Sequence, residues 1–322
     1  MIQIIGELCE FSPRQLTGEE DAAAYIQEEL RNSSIDFIVE NYRVKIPEVF
    51  DAWLEINGKR YESPRIEGCS KVSGEISGKI SFEDSTNPSG SLGMFNGVIA
   101  CNSHCETASQ AQWYPIPALA VDPELFTIAQ DAFNASGNIS GHVNVDVFDH
   151  IGQNILVGNT VDPQKIILTH YDCLKKGAFD NASGVAVLMK SIHKVRDKLN
   201  SALFAICGNE EICCEPSIYG GMGYRKMMEY HPNLFEGCEE VFVVDSVGVG
   251  ESKFLTYEDD CQHSYAGFPV GNEYFEQIQT KLKLLIGDLN YLYSVYHSDN
   301  DVPENLCLDE LKRTVEMICS SL

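Results

Sequence analysis

The feature that most constrains the fold is an alternation of short apolar runs with helical patterns in the second half of the chain. Residues 165–170 form a buried strand pattern, and a helical pattern follows from Ala182 to Val195. Further strand patterns lie at Ala202–Cys207, Val241–Val244 and Tyr291–His297. A last helix is predicted from Leu308 to Ser320. Strands that alternate with helices form largely parallel sheets covered on both faces. We therefore predict an α/β fold of three layers, α/β/α, with a mostly parallel central sheet.

The N-terminal segment predicts one helix and two strands. Thr17-Gly18-Glu19-Glu20 has the form of a capping box, and apolar residues then recur at helical spacing, so a helix is expected to end near Arg31. Two strands are predicted from the β-branched and aromatic residues that follow, at Ile35–Ile46 and Ala52–Ile56.

Between the N-terminal segment and the second half of the chain, the pattern of apolar residues changes. From about Lys59 to Gly141, short apolar runs are broken by Gly, Ser, Asn and Pro. This pattern is typical of many short strands. We predict a smaller β-rich domain inserted at 59–147, so that 1–58 and 148–322 together form the main domain.

Composition excludes several partners. The chain has 322 residues, with 48 acidic and 23 basic side chains, and its formal net charge is -25. Such a charge repels nucleic acid and anionic membrane surfaces. No apolar run approaches the length of a membrane span, and the first residues, with Glu7 and Glu10, do not resemble a signal peptide. We therefore expect no nucleic-acid or membrane partner, and a cytoplasmic protein whose twelve cysteines are reduced.

Each predicted strand of the second half is followed by residues that can bind a metal. These residues are His170 and Asp172, Glu210 and Glu211, Asp245 and His297, with Asp180 in a nearby loop. Ligand sites in parallel sheets lie beyond the carboxyl ends of the strands. Several carboxylates at one edge would repel one another unless cations neutralised them. A pair of divalent ions fits this demand, and imidazole together with carboxylate favours catalytic zinc.

Taken singly, each of these motifs has an ordinary structural explanation. A histidine at a strand end is more often on the surface than a ligand, paired glutamates are usually solvated, and an aspartate there often caps a helix. No nucleophile elbow, P-loop or dinucleotide fingerprint competes with the metal site in the sequence. The set as a whole therefore carries the prediction.

As a set, the motifs resemble the co-catalytic zinc aminopeptidases, a family that includes secreted bacterial zinc aminopeptidases, glutamate carboxypeptidase II and the non-catalytic transferrin receptor. The matching motifs are His-Tyr-Asp at 170–172, Asp-Asn-Ala-Ser-Gly at 180–184, Glu-Glu at 210–211, Asp245, and Tyr-His-Ser at 296–298. The resemblance covers about 12–41 and 154–322. It implies a zinc-exopeptidase fold, and at 59–147 it implies a protease-associated insert.

The resemblance also implies a ligand set for two Zn²⁺ ions. Asp180 would bridge the two ions, with His170 and Asp245 on one of them. Glu211 and His297 would bind the other ion. Two ions of this kind acidify a water molecule and polarise a carbonyl.

Three further residues receive roles from the same resemblance. Glu210 would be the general base, since a carboxylate that is not a ligand can take the proton of the attacking water. Asp172 would accept a hydrogen bond from His170 and fix its tautomer. Tyr296 could donate a hydrogen bond to the oxyanion, although a tyrosine packed in the core explains it equally well.

Two departures from the family pattern affect the expected substrate. Glu258-Asp259-Asp260-Cys261 stands where the family commonly carries Ser-Asp-His, and residues 212–221 replace a shorter step after Glu211. The expected function is an aminopeptidase acting on small peptides. Three alternatives remain: a glutaminyl cyclase with one zinc, a carboxypeptidase that uses Arg225 and Lys226, and a receptor-like binding protein without catalysis.

Overall fold

The chain divides into two compact units. The computed structural model describes residues 1–86, 92–215 and 220–322. The first unit comprises residues 1–44, 149–289 and 301–322, and the second comprises 45–148 and 290–300. The insert expected at 59–147 thus starts earlier and gains a separate segment near the C-terminus. That segment is held inside the second unit, because Asn102 Nδ2 donates to Tyr293 O at 3.0 Å and Ser109 Oγ donates to Tyr296 O at 2.6 Å.

Helices and strands occur throughout the described ranges. The helices are α1 (Ile2–Glu10), α2 (Thr17–Asn32), α3 (Pro123–Asn134), α4 (Ser183–Lys194), α5 (Met222–Tyr230), α6 (Pro232–Gly237), α7 (Cys261–Ala266), α8 (Asn272–Ile278), α9 (Leu289–Val295) and α10 (Leu308–Ser321). The strands are β1 (Ile38–Ile56), β2 (Lys59–Tyr61), β3 (Ile66–Gly68), β4 (Gly74–Ser77), β5 (Ile80–Asp84), β6 (Gly97–Cys101), β7 (Ala118–Val121), β8 (Ile139–Gly158), β9 (Lys165–His170), β10 (Ala202–Cys207), β11 (Glu240–Val244), β12 (Lys253–Thr256) and β13 (Leu282–Ile286). No helix of the described ranges is both long and apolar enough to cross a membrane.

The first unit is built on a sheet with a parallel centre. Its strand order is β12-β13-β11-β9-β10-β8. The four central strands pair in parallel, while β12 and β8 pair antiparallel with their neighbours. The predicted α/β class is therefore confirmed, and the sheet is mixed rather than purely parallel.

Both faces of this sheet are covered. Ile167 of β9 lies in an apolar core formed with α1, α2, α4 and α10, to which Leu188 of α4 and Phe204 of β10 also belong. Successive side chains of a strand point to opposite faces. Ile166 and Leu168 point away from this core and are nevertheless fully buried. The central strand therefore has packing on both sides, as three layers require.

The second unit has its own sheet and core. Its strands β5, β6 and β7 pair in parallel, and β3 adds antiparallel to β7. Ile99, Leu119 and Leu125 belong to the apolar cluster of this unit, and Leu125 comes from α3. The segment is thus rich in strands, as the broken apolar runs predicted, and it also holds a helix.

Three local predictions were wrong in part. The two strands expected at Ile35–Ile46 and Ala52–Ile56 form a single strand, β1. The strand expected at Tyr291–His297 is instead helix α9, because a short apolar run does not distinguish a strand from a helix by periodicity. The helix expected from Thr17 to about Arg31 is confirmed as α2, but the capping box is not, because Leu16 occupies the cap position and no side chain caps the helix.

A core substitution tests the packing of the first unit. Replacing Leu188, which is fully buried, by alanine is expected to lower the free energy of unfolding by about 2–5 kcal/mol, because it leaves a cavity. Leu308→Ala is the control, since Leu308 is 42% exposed and its loss should cost about 0.5 kcal/mol or less. Urea denaturation measures both values. Equal costs at the two positions would contradict the packing described.

Candidate metal centre

The ends of three parallel strands bring the first metal-binding candidates to one edge of the sheet. His170 is the last residue of β9, and Asp245 directly follows β11. Cys207, the last residue of β10, lies opposite His170 in the register, so the two strands end level. Glu210 and Glu211 follow three and four residues later. The candidate side chains therefore lie at the same edge of the sheet because the strands that precede them are neighbours.

His170 lies at the centre of the cluster. Its Nε2 atom is 3.3 Å from Asp180 Oδ1 and 3.7 Å from Asp245 Oδ1. One ligand atom from each of these three residues lies within 4.8 Å of the others, and the same holds for His170 with Glu210 and Glu211. Donor atoms this close together can share one metal ion. The cluster thus brings together one imidazole and four carboxylates.

Asp172 organises both sides of this cluster. Its carboxylate is fully buried and lies 3.4 Å from His170 Nδ1. It accepts hydrogen bonds from the backbone N–H of Glu210 at 2.9 Å and of Glu211 at 3.0 Å, and from Gln15 Nε2 at 3.2 Å. Because a carboxylate only accepts, it favours the proton on Nδ1 and the lone pair of the imidazole on Nε2, which faces Asp180 and Asp245.

Asp301 holds the loop that carries Asp180. It accepts hydrogen bonds from the backbone N–H of Phe179 at 2.7 Å and of Asp180 at 3.0 Å. Burial is the main cause that raises the pKa of Asp301 to about 7. The sequence analysis gives Asp301 no role. Its contacts join residues that are 121 and 122 positions apart, and such contacts have no local signal in the sequence.

Arg14 is a second buried residue that sequence reasoning missed. Its guanidinium is fully buried and donates to the carbonyl oxygens of Gly177 at 2.8 Å and Lys176 at 3.2 Å, and to that of Tyr171. These carbonyls belong to the loop between His170 and Asp180. Arg14 therefore fixes the path of the chain from one ligand candidate to the next.

The electrostatics of the cluster call for cations. Burial raises the pKa of Glu210 well above its ordinary value. For His170, burial lowers the pKa, but the nearby carboxylates, Glu210 above all, outweigh burial and raise it well above its ordinary value. In the metal-free protein, bound protons thus supply the positive charge that offsets the carboxylates. Zinc fits this set of donors, because it accepts both imidazole and carboxylate ligands.

His297 and Tyr296 belong to the second unit, and their proposed roles stay predictions. Within that unit, His297 Nδ1 lies 3.1 Å from the carbonyl oxygen of Gln110. A carbonyl only accepts, so Nδ1 carries the proton and the lone pair is on Nε2, as a metal ligand would need. The rings of Tyr296 and His297 stack with their centroids 3.7 Å apart.

The residues considered for substrate binding have different surroundings. Arg225 Nη2 lies 3.2 Å from Cys213 Sγ and 3.3 Å from the carbonyl oxygen of Gly220, beside the loop that follows Glu211. Lys226 instead pairs with Glu229 at 2.6 Å near the surface. Within the replaced step at 212–221, residues 216–219 lie outside the described part of the chain.

Comparison with known proteins relates part of the chain to one peptidase family. Residues 153–289 match the model of peptidase family M28. This match confirms, for that part of the chain, the resemblance predicted from the motifs. No curated protein sequence matches the chain.

Solved structures share the fold over nearly the whole chain. The zinc aminopeptidase BSAP from Bacillus subtilis superposes with a TM-score of 0.71 at 15% identity, covering 99% of this chain and 93% of that one. The aminopeptidase from Aneurinibacillus sp. strain AM-1 gives 0.65 at 15% identity, covering 99% and 92%. Glutaminyl cyclase from Tannerella forsythia gives 0.50 at 13% identity, covering 99% and 95%. The fold is therefore shared by zinc peptidases and by a cyclase.

Zinc binding should depend on pH in a defined direction. In the metal-free protein His170 retains a proton to a high pH, so zinc must displace that proton, and the cost falls as the pH rises. Added Zn²⁺ is therefore expected to raise the Tm of the metal-free protein, and to raise it more at pH 8 than at pH 6. Differential scanning fluorimetry measures the shift, with Ca²⁺ as a control that imidazole binds poorly. The same Zn²⁺ shift at both pH values would argue against His170 as a ligand.

Proposed function

We propose that this chain is a zinc-dependent exopeptidase that removes residues from the N-terminus of small peptides. The observation that carries the proposal is the cluster around His170, in which a buried glutamate, Glu210, lies beside the carboxylates able to bind metal. The match of residues 153–289 to peptidase family M28 supports a zinc peptidase. The shared fold of zinc aminopeptidases is consistent with it.

The proposed ligands divide between two zinc ions. His170 and Asp245 would hold one ion, Glu211 and His297 would hold the other, and Asp180 would be shared between them. When bound, the ions would supply an acidified water and polarise the scissile carbonyl. The donor types support zinc, because zinc accepts both imidazole and carboxylate ligands.

The remaining roles belong to side chains of this chain. Glu210 accepts the proton of the attacking water and passes it to the leaving amine. Asp172 keeps the imidazole of His170 in the binding tautomer. Tyr296 donates a hydrogen bond to the oxyanion of the tetrahedral intermediate.

We further propose a cytoplasmic location and small peptides as the partners, with neither nucleic acid nor membrane involved. All twelve cysteines are free thiols, which is consistent with a reducing compartment. The net charge of -25 disfavours anionic polymers and surfaces.

Replacing the proposed base separates catalysis from metal binding. Glu210→Gln is expected to lower kcat by about 100-fold or more while zinc stays bound, since the amide cannot take a proton. Turnover of a peptide and zinc content by atomic absorption are the two measurements. The matched control is Glu229→Gln on α5, which makes the same chemical change at an exposed residue that pairs with Lys226. Full turnover in the Glu210 variant would remove Glu210 from the mechanism.

The end of the peptide that is trimmed distinguishes the related activities. A pool of peptides is incubated with the zinc-loaded protein and read by mass spectrometry, alongside versions acetylated at the N-terminus or amidated at the C-terminus. We expect acetylation to stop trimming and amidation to leave it unchanged. The reverse pattern would identify a carboxypeptidase. Loss of ammonia from peptides that begin with glutamine, together with one zinc per chain, would identify a glutaminyl cyclase, whereas no reaction would favour a binding protein.

A further inference from the structure

Glu19 is a buried acid that the proposed mechanism does not use. It lies in the first turn of α2, and its side chain is 1% exposed, whereas that of the next residue, Glu20, is 63% exposed. A buried carboxylate is costly unless it is paired and hydrogen-bonded. The contacts of Glu19 therefore indicate which parts of the structure its carboxylate holds together.

Three side chains contact the carboxylate. His150 Nε2 lies 3.1 Å from Glu19 Oε2, and Asn209 Nδ2 donates to the same oxygen at 2.5 Å. Tyr171 Oη donates to Oε1 at 3.3 Å. These partners come from β8 and from the segments that follow β10 and β9, and all of them lie in the first unit. Glu19 thus joins three parts of the chain behind the metal centre.

The contact with Asn209 leads directly to the metal centre. Asn209 precedes the Glu210–Glu211 pair and has a left-handed backbone, with φ of 49°. The neighbouring carbonyl, that of Gly208, accepts a hydrogen bond from Tyr42 Oη at 2.8 Å. A Cβ atom on Gly208 would lie 2.3 Å from Glu19 Oε1, so the turn approaches the carboxylate too closely for any other residue. The Gly208–Asn209 turn is therefore packed against Glu19.

The other side of the turn is also held. The backbone N–H of Met222, at the start of α5, donates to Asn209 O at 2.9 Å, while Asp172 binds the amides of Glu210 and Glu211. The hydrogen bond to Glu19 fixes the side chain of Asn209. The backbone of Asn209 leads directly into Glu210 and Glu211. Buried hydrogen-bonding residues of this kind orient the functional side chains of a site without acting in the reaction themselves.

We propose that Glu19, paired with His150, is a positioning residue that holds the Glu210–Glu211 pair in place through Asn209. The inference rests on the proposed function for the role of the pair in hydrolysis. Glu19 itself touches neither substrate nor metal. Its effect reaches the pair through the side chain of Asn209 and the left-handed turn.

A double-mutant cycle tests this path. Glu19→Ala removes the carboxylate, and Asn209→Gly removes the amide while it keeps a residue suited to positive φ. Each variant is expected to lower kcat about tenfold or more, with KM within about twofold, since the pair is displaced while the peptide-binding surface remains. The double variant should lose no more than the worse single variant, because both changes break the same link. Additive losses would overturn the inference, as would unchanged kcat in folded Glu19→Ala.

Matched variants separate positioning from general damage. Glu20→Ala deletes the adjacent carboxylate, which lies 3.7 Å from the other nitrogen of His150, and should leave kcat unchanged. Glu19→Gln retains an acceptor for Asn209 and should recover most of the lost kcat. Thermal unfolding monitors the fold, and if Glu19→Ala does not fold, Asn209→Gly gives the same test alone. A loss of kcat in Glu20→Ala equal to that in Glu19→Ala would overturn the inference.

Zinc affinity separates this inference from the proposed function. Displacement of Glu211 should weaken zinc binding by about tenfold or more in Glu19→Ala and in Asn209→Gly, measured by competition with a chelator. If the wild-type protein cleaves no peptide, the proposed function fails, and zinc affinity alone decides whether Glu19 positions the pair. Affinities equal to that of the wild type in both variants would refute the positioning role.

Discussion

The first unit holds several carboxylates close to one imidazole, and the fold must overcome their mutual repulsion. Asp180, Asp245, Glu210 and Glu211 surround His170 at the end of β9, largely away from water. In a medium of low dielectric such like charges strongly disfavour one another. The arrangement is stable only with compensating positive charge, supplied by protons or by metal ions. The buried polar groups around the cluster serve to hold these carboxylates against that repulsion.

A short N-terminal segment supplies much of this support. Arg14 binds carbonyls of the loop between His170 and Asp180, Gln15 donates to Asp172, and Glu19 accepts from Asn209. The first two contacts reach the loop that follows β9, and the third reaches the turn that follows β10. The start of α2 and the turn before it therefore support the candidate metal centre, although they contribute no ligand candidate. This is a physical reason for a family resemblance that extends to a helix far from the ligand candidates in sequence.

The parts that the sequence predicted well are those with local causes. The strands that end at His170 and Cys207 are continuous apolar runs flanked by polar residues, so both their position and their parallel pairing could be predicted. The strand predicted at Tyr291–His297 failed because its apolar run is equally compatible with a helix. The sequence predicts no role for Glu19, because its partner Asn209 lies 190 residues away. Contacts at such separations leave no pattern in a single sequence.

Asp172 links the two halves of the proposed chemistry. The same carboxylate lies against Nδ1 of His170 and accepts from the backbone amides of Glu210 and Glu211. If Asp172 moves, the imidazole of His170 and the two glutamates move with it. The proposed metal ligand and the proposed base therefore depend on the same carboxylate. Because Asp172 is fully buried, water cannot replace its contact with His170 or its hydrogen bonds to the two amides, so both depend on the packing around it.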